Sequence, residues 1–257
     1  MKTFSQPTGK PRNKPHWCLV FLLLVLAAPT RVAAQPLLPP YTAIYEVSLK
    51  GIPLGRLTQH LARPAPQTYH FTSTLESTGL ARLLRKLHAE ESSTGIVLAG
   101  GLQPESYTYS RRSGQKEKRF GLTFDWKDGQ VRRTDSSHPD TALAPGTLDK
   151  LSLLLGVMLD LGREAQVLRH LVADDDGIKT YSLTQERAEP IDFEGRPQPV
   201  VKVSYSRGDS GRRTTLWCAP ALHFVPLRIE YRERNGELTR GRLVSFTSGS
   251  TPGDASP

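Results

Sequence analysis

The feature that most constrains this chain is a two-residue alternation that restarts again and again between Gly, Pro and Asp breaks. In Tyr41-Thr42-Ala43-Ile44-Tyr45-Glu46-Val47-Ser48-Leu49, the odd positions share one face and the larger apolar groups. That is the period of a strand buried on one side, because successive side chains point to opposite faces. Gly51-Ile52-Pro53-Leu54-Gly55 reads as a turn, and residues 56–63 as the returning strand. Further strand candidates run through residues 68–77, 90–98, 104–111, 120–126, 178–187, 199–206, 211–219 and 223–233. Asp128-Gly129, Asp176-Gly177 and Asn235-Gly236 each sit between strand-like runs, the strongest short hairpin signal a sequence offers. About a dozen short strands at even spacing, with no repeat and no linker, predict one mainly β domain. The expected fold is an antiparallel meander curled into an incomplete barrel, with one or two short helices against its concave face or rim.

Two stretches break the alternation. Residues 148–161 are nearly all apolar, so a helix there needs cover on almost every side, which a curved sheet supplies. Thr147 is the expected cap, Asp149 favours the positive end of the helix dipole, and Gly162 ends it. The second candidate, Leu80–His88, carries Arg82, Arg85 and Lys86 on one side and Leu80, Leu83, Leu84 and Leu87 on the other. That pattern suits a helix at a sheet rim.

The first residues stand apart from this pattern. Lys2, Lys10, Arg12 and Lys14 precede an apolar run from Trp17 to Ala28, and Val32-Ala33-Ala34 offers a cleavage site. Charged start, short apolar core and small-residue cut describe a secretory signal peptide. The apolar run is shorter than the ~20 residues that span a bilayer. The expected organisation is a signal peptide over 1–34, a single β-rich domain over 35–247 and a disordered tail over 248–257, whose Ser, Gly, Pro and Asp have nothing to bury. A periplasmic protein follows, with no transmembrane segment in the mature chain and its oligomeric state left open.

Removing the leader takes away five of the 34 Lys and Arg and none of the 25 Asp and Glu, so the formal charge falls from +9 to +4. The densest basic cluster, Arg111, Arg112, Lys116, Lys118 and Arg119, is interrupted by Ser113-Gly114 and Glu117 and reads as a solvated hairpin tip. Nucleic acid is not an expected partner, because its binders gather their charge on one face. Cys18 leaves with the leader. Cys218 then stands alone, and no internal disulfide is available.

Little in the sequence has the spacing that chemistry demands. Asp174-Asp175-Asp176-Gly177 resembles part of a calcium loop, but Val172 and Leu183 occupy places where that loop needs acids. His60, His70, His88, His138, His170 and His223 share no metal-ligand spacing. Cys218 and His223 are five positions apart across an Ala219-Pro220-Ala221-Leu222 corner. A cysteine nucleophile needs a lowered pKa, and the apolar neighbours Trp217, Ala219, Pro220 and Leu222 would raise it instead. The reading is therefore a structural corner, with Trp217 buried and Pro226 at a sheet edge or bulge. No catalytic, cofactor-binding or metal-binding residue is assigned, and no cofactor is expected.

The corner also carries a resemblance. Leu216-Trp217-Cys218-Ala219-Pro220-Ala221-Leu222-His223-Phe224-Val225-Pro226-Leu227-Arg228-Ile229-Glu230 resembles the closing motif of the exported bacterial proteins grouped as "domain of unknown function 3108". Tyr41-x-Ala43-x-Tyr45-x-Val47 with Gly51 and Gly55, Ser77-Thr78-Gly79-Leu80, Leu102-x-Pro104, Phe124-Asp125-Trp126 and Asp149-x-Leu151-Ser152-Leu153 continue it in order. The resemblance implies a β-rich, exported, mostly single-domain protein with no established activity. A looser likeness in style, strands around an apolar interior, is to periplasmic carriers of lipoproteins and lipids. It carries fold-level weight only.

Three functional expectations stand beside one another. The first is a non-enzymatic envelope protein whose curved sheet binds a lipid or other apolar or amphiphilic ligand. The second is a protein-interaction or assembly factor with an envelope protein as partner and an interior filled by side chains. The third is a hydrolase or transferase using Cys218 and His223.

Overall fold

A computed structural model describes residues 38–79, 86–135, 140–166, 169–208 and 210–249, together with Met1 and Thr3. The chain divides into compact units Met1–Ala34 and Gln35–Pro257, and the second is the subject here. The proposed signal peptide, most of the proposed tail and residues 80–85 of the second helix candidate lie outside the described residues.

Fifteen strands form one sheet. The chain enters at the sheet's middle with β1 (Tyr41–Leu49) and winds outward through β2 (Ile52–Ala62), β3 (Thr68–Ser77), β4 (Leu87–Leu98), β5 (Gly101–Ser113), β6 (Lys116–Asp125), β7 (Gln130–Arg133) and β8 (Thr141–Ala142). It restarts at the opposite edge with β9 (Leu148–Asp149), passes through helix α1 (Ser152–Gly162), and continues with β10 (Arg169–Asp174) and β11 (Gly177–Arg187). A separate hairpin, β12 (Ile191–Phe193) and β13 (Arg196–Gln198), interrupts the return. Then β14 (Val201–Arg207), β15 (Arg213–Ala219), β16 (Val225–Arg232) and β17 (Leu238–Ser248) lead back to the middle, where β17 pairs with β1. All these pairings are antiparallel except β9 with β10.

The connectivity itself forces the sheet to curl. Laid flat, fifteen strands at ~4.8 Å spacing would span about 67 Å. Yet residues 143–147 alone join the two edge strands β8 and β9, a link of about 20 Å at full stretch. The edges must therefore come round toward each other. They do not share a ladder, so the barrel is incomplete, as expected. Side chains bridge the seam instead: Lys118 of β6 pairs with Asp175, and the Arg133 guanidinium of β7 donates to the Asp175 carbonyl.

Alternation does what it promised in β1, where Tyr41, Ala43, Tyr45 and Val47 are buried. The first hairpin is tighter than expected. Leu49 pairs with Ile52, so the turn is Lys50-Gly51, both at positive φ, and residues 52–55 belong to β2. Pro226 lies opposite Cys218 beside a register shift in β15–β16 and beyond the reach of β17, so its missing N–H donor breaks no ladder bond there.

Helix α1 is buried around its whole circumference, from Ser152 through Leu159 and at Leu161. It packs against β5 and β9, and the Tyr41 hydroxyl of β1 donates to the Met158 sulfur at 4.0 Å. Its start corrects the sequence reading. Leu148 and Asp149 are strand, paired in parallel with Val172 and Ala173, and the helix begins at Ser152. Thr147 donates to the Ala144 carbonyl and caps nothing. Leu87 and His88, expected at the end of the second helix, are strand too, because they pair with Arg112 and Ser113 of β5.

Candidate functional site

Inside the curl, the concave face is built in layers that the strand period and register define. On β2, β3 and β4 the outer layer is Leu57, Leu75 and Ala89, and the next is Gln59, Ser73 and Glu91. The layer below, Leu61, Phe71 and Ser93, is sealed from solvent. A cavity of about 570 Å³ opens onto the first two layers and is closed on its far side by Leu151 and Leu154 at the helix start and by Leu216 and Ile229 of the returning strands. Leucines dominate its walls, Arg111 and Lys150 stand at its edge, and a few polar groups sit deeper. Pockets that take small ligands have this make-up, in a size range of about 300–1,000 Å³.

The polar groups beneath the cavity form a connected set around the helix start. The Asp149 carboxylate accepts from the backbone N–H groups of Leu151 and Ser152, each at 2.8 Å, and from the Ser93 hydroxyl at 2.6 Å. The Asp149 N–H donates to the Ser152 hydroxyl oxygen at 2.9 Å, so the two residues cap each other. The Tyr69 and Ser93 hydroxyls lie 3.1 Å apart. Asp149 is completely buried, and burial raises its carboxyl above the ordinary aspartate value of 3.8 despite those donors. One strand over, the Tyr107 hydroxyl donates to Glu91 at 2.6 Å, and burial raises the Glu91 carboxyl as well. Lys150 meets the buried Asp174 at 2.5 Å, with Arg207 3.7 Å from the other Asp174 oxygen.

The acidic run confirms its reading as a turn. Carboxylate oxygens of Asp174, Asp175 and Asp176 lie within 4.8 Å of one another. Each also has a cation: Lys150 and Arg207 for Asp174, Lys118 for Asp175 and Arg207 for Asp176. The turn's charge is balanced from within the chain.

Cys218 and His223 do not come together. Cys218 faces the core, is fully buried and has its thiol pushed well above the ordinary range by that burial. A single 3₁₀ turn, Pro220–Leu222, carries the chain round the corner and leaves His223 exposed at a left-handed φ of 53°. Trp217 corrects the expectation of full burial: it is half-buried on the face opposite Cys218, with the Arg228 guanidinium 5.1 Å from its ring centre. Sequence reading passed over Gln59, Ser73, Glu91 and the capping role of Asp149. Their signal was present, since each of the first three occupies an inward position of its strand where apolar residues precede or follow.

Comparison with known proteins adds a family and a fold. The model of the family described as "Protein of unknown function (DUF3108)" matches residues 44–241. No curated protein matches the chain. A solved structure described as the β-barrel-like protein of domain of unknown function DUF1849 from Brucella abortus aligns at TM-score 0.55 and 16% identity, covering 84% of this chain and 100% of that one. A putative outer membrane lipoprotein-sorting protein domain from Vibrio parahaemolyticus aligns at TM-score 0.22 and 11% identity, covering 86% and 89%. The first of these supports the barrel-like fold, and the second is too distant to support more.

Proposed function

This chain belongs to the DUF3108 family, and from that premise we propose that it is an exported envelope protein whose curled sheet binds an apolar or amphiphilic ligand without catalysing a reaction on it. The observation that carries the reading is the leucine-walled cavity of about 570 Å³ on the concave face, beside a helix that fills the rest of the interior. The basic leader, apolar run and small-residue site over residues 1–34 support export. Among the described residues no helix is long and apolar enough to cross a membrane.

Two observations weigh on the other readings. Large exposed hydrophobics among the described residues of the second unit are only Ile52 and Leu98, too little apolar surface for the patch an assembly partner would cover. A fully buried thiol whose pKa that burial raises lacks what a cysteine nucleophile requires.

The test is intact-mass measurement of gently purified protein, before and after solvent extraction, with a fluorescent apolar probe titrated into the extracted protein. A chain starting at Gln35, an extractable amphiphile, and probe fluorescence abolished by the cavity-filling Ala89→Phe at unchanged melting temperature are the expected results. Protein that carries nothing extractable and gives no probe signal overturns the binding reading. A mature chain still starting at Met1 overturns export.

A further inference from the structure

Resting on that binding reading, we propose that the cavity takes a single-chain amphiphile polar end first, its hydroxyl donors held by the row Gln59, Ser73 and Glu91. Register puts these three side by side on neighbouring strands, Gln59 opposite Ser73 and Ser73 opposite Glu91. Depth puts the first two inside, with Glu91 half-buried beside them. Gln59 is 4% and Ser73 8% exposed, while Leu57 and Leu75, one layer toward the mouth, are more open. On β2 and β3 a ligand that fills the cavity therefore passes Leu57 and Leu75 before it reaches Gln59 and Ser73.

The row holds an acceptor without a donor. The Gln59 side-chain oxygen is buried, lines the cavity and accepts no hydrogen bond. Leaving such an acceptor bare in an apolar site is destabilising, and a ligand hydroxyl reverses this on binding. Glu91 receives the Tyr107 hydroxyl on one oxygen, and its carboxyl adds acceptor capacity to the row. Burial also favours the neutral form of that carboxyl over the anion. The row holds no cation to offset an anionic head, whose natural place is instead beside Arg111 at the rim, for which no carboxylate partner exists among the described residues. The two insertions are thus distinguishable by chemistry: hydroxyl end down at Gln59, or acid end up at Arg111.

Three probes of one chain length separate them: 1-monooleoylglycerol, methyl oleate and oleate, each titrated by displacement of a fluorescent apolar probe. The expected result is monooleoylglycerol bound about tenfold or more tightly than methyl oleate, since a site built to hydrogen-bond a hydroxyl rejects the analogue lacking it. Gln59→Leu should bring the ratio of monooleoylglycerol to methyl oleate affinity close to one without lowering the melting temperature. Should Gln59→Leu fail to fold, Ser73→Ala reads the same row. Equal binding of the glycerol and methyl esters, indifferent to both variants, overturns this inference while leaving the binding reading in place. Tightest binding by oleate, lost in Arg111→Gln, overturns it in favour of tail-first insertion. Failure of all three esters and acids to displace the probe removes the binding reading itself.

Discussion

Asp149 shows how one residue can be half legible in a sequence. Its position ahead of an apolar run suggests a helix start, and that much holds. The detail does not, because the helix begins later and Asp149 caps it from the end of a strand. Its complete burial gives it a measurable signature. In the unfolded chain the carboxyl titrates near 3.8, and in the fold it titrates higher. Below 3.8 both states hold the proton and the residue contributes no penalty. As pH rises from there to the raised folded value, the unfolded state releases its proton first, so the fold loses stability across that window. Asp149→Asn keeps an acceptor for Leu151 and Ser152 but cannot ionise. Urea midpoints should therefore show the variant gaining on the parent as pH rises above about 4. A deficit that grows as pH rises would show instead that the fold favours the anion, and a deficit of constant size would show that burial does not shift the carboxyl at all. Cys218 and Trp217 teach a related point. Adjacent residues of one strand face opposite ways, so Trp217 does not share the face of the sealed Cys218, and it stays half-buried against the margin of the core.

At the scale of elements, most strands were legible because their alternation is strong, and most errors fall where a local pattern has two meanings. An apolar pair such as Leu148 with its neighbour fits helix or strand equally well by periodicity. The decision came from Val172 and Ala173, more than twenty residues away, through parallel pairing that no local window contains. The strand bulges were equally hidden. In β4–β5 the register shifts after Thr94, pairing Gly95 with Pro104 and leaving Glu105 unmatched. Gly95 is required there by space. A Cβ at that position would lie 2.3 Å from the Gln103 carbonyl oxygen and 2.8 Å from the Pro104 Cα, backbone atoms that cannot move aside alone. Gly95→Ala should thus cost about 1–3 kcal/mol, as forced overpacking usually does. Gly100→Ala, in the next turn, has nothing within 4 Å and serves as the control. Denaturation midpoints compared between the two variants decide the matter, and equal midpoints would mean the bulge yields freely.

At the scale of the whole molecule, the chain's two ends hold the sheet together. Strand β1 opens the domain and β17 closes it, yet they are neighbours at its centre, paired from Tyr41 with Ser248 to Leu49 with Thr239. The meander from β1 to β8 is one half of the sheet, and the meander from β9 to β17 is the other. Among the described residues, strands of the two halves are paired only in the β1–β17 ladder, with the Arg242–Glu46 pair at 2.6 Å across it. Such pairing brings together residues about two hundred positions apart, which makes it the slowest kind of contact to form and leaves open edges until it does. The sequence hinted at a large β domain but could not reveal this join, because nothing local marks β1 and β17 as partners. A chain ending at Glu237 lacks β17 and exposes β1 and β16 as two unpaired edges flanking a split core. It should collect in the insoluble fraction, and any soluble part should lack a cooperative thermal transition. A chain ending at Gly249 keeps the whole ladder, including the bond from the Gly249 N–H to the Pro40 carbonyl at 2.8 Å, and should melt where the full-length protein melts. Should the shorter chain instead melt cooperatively near the parent's temperature, the two half-sheets would be independent folding units, and the central ladder would be a consequence of their docking.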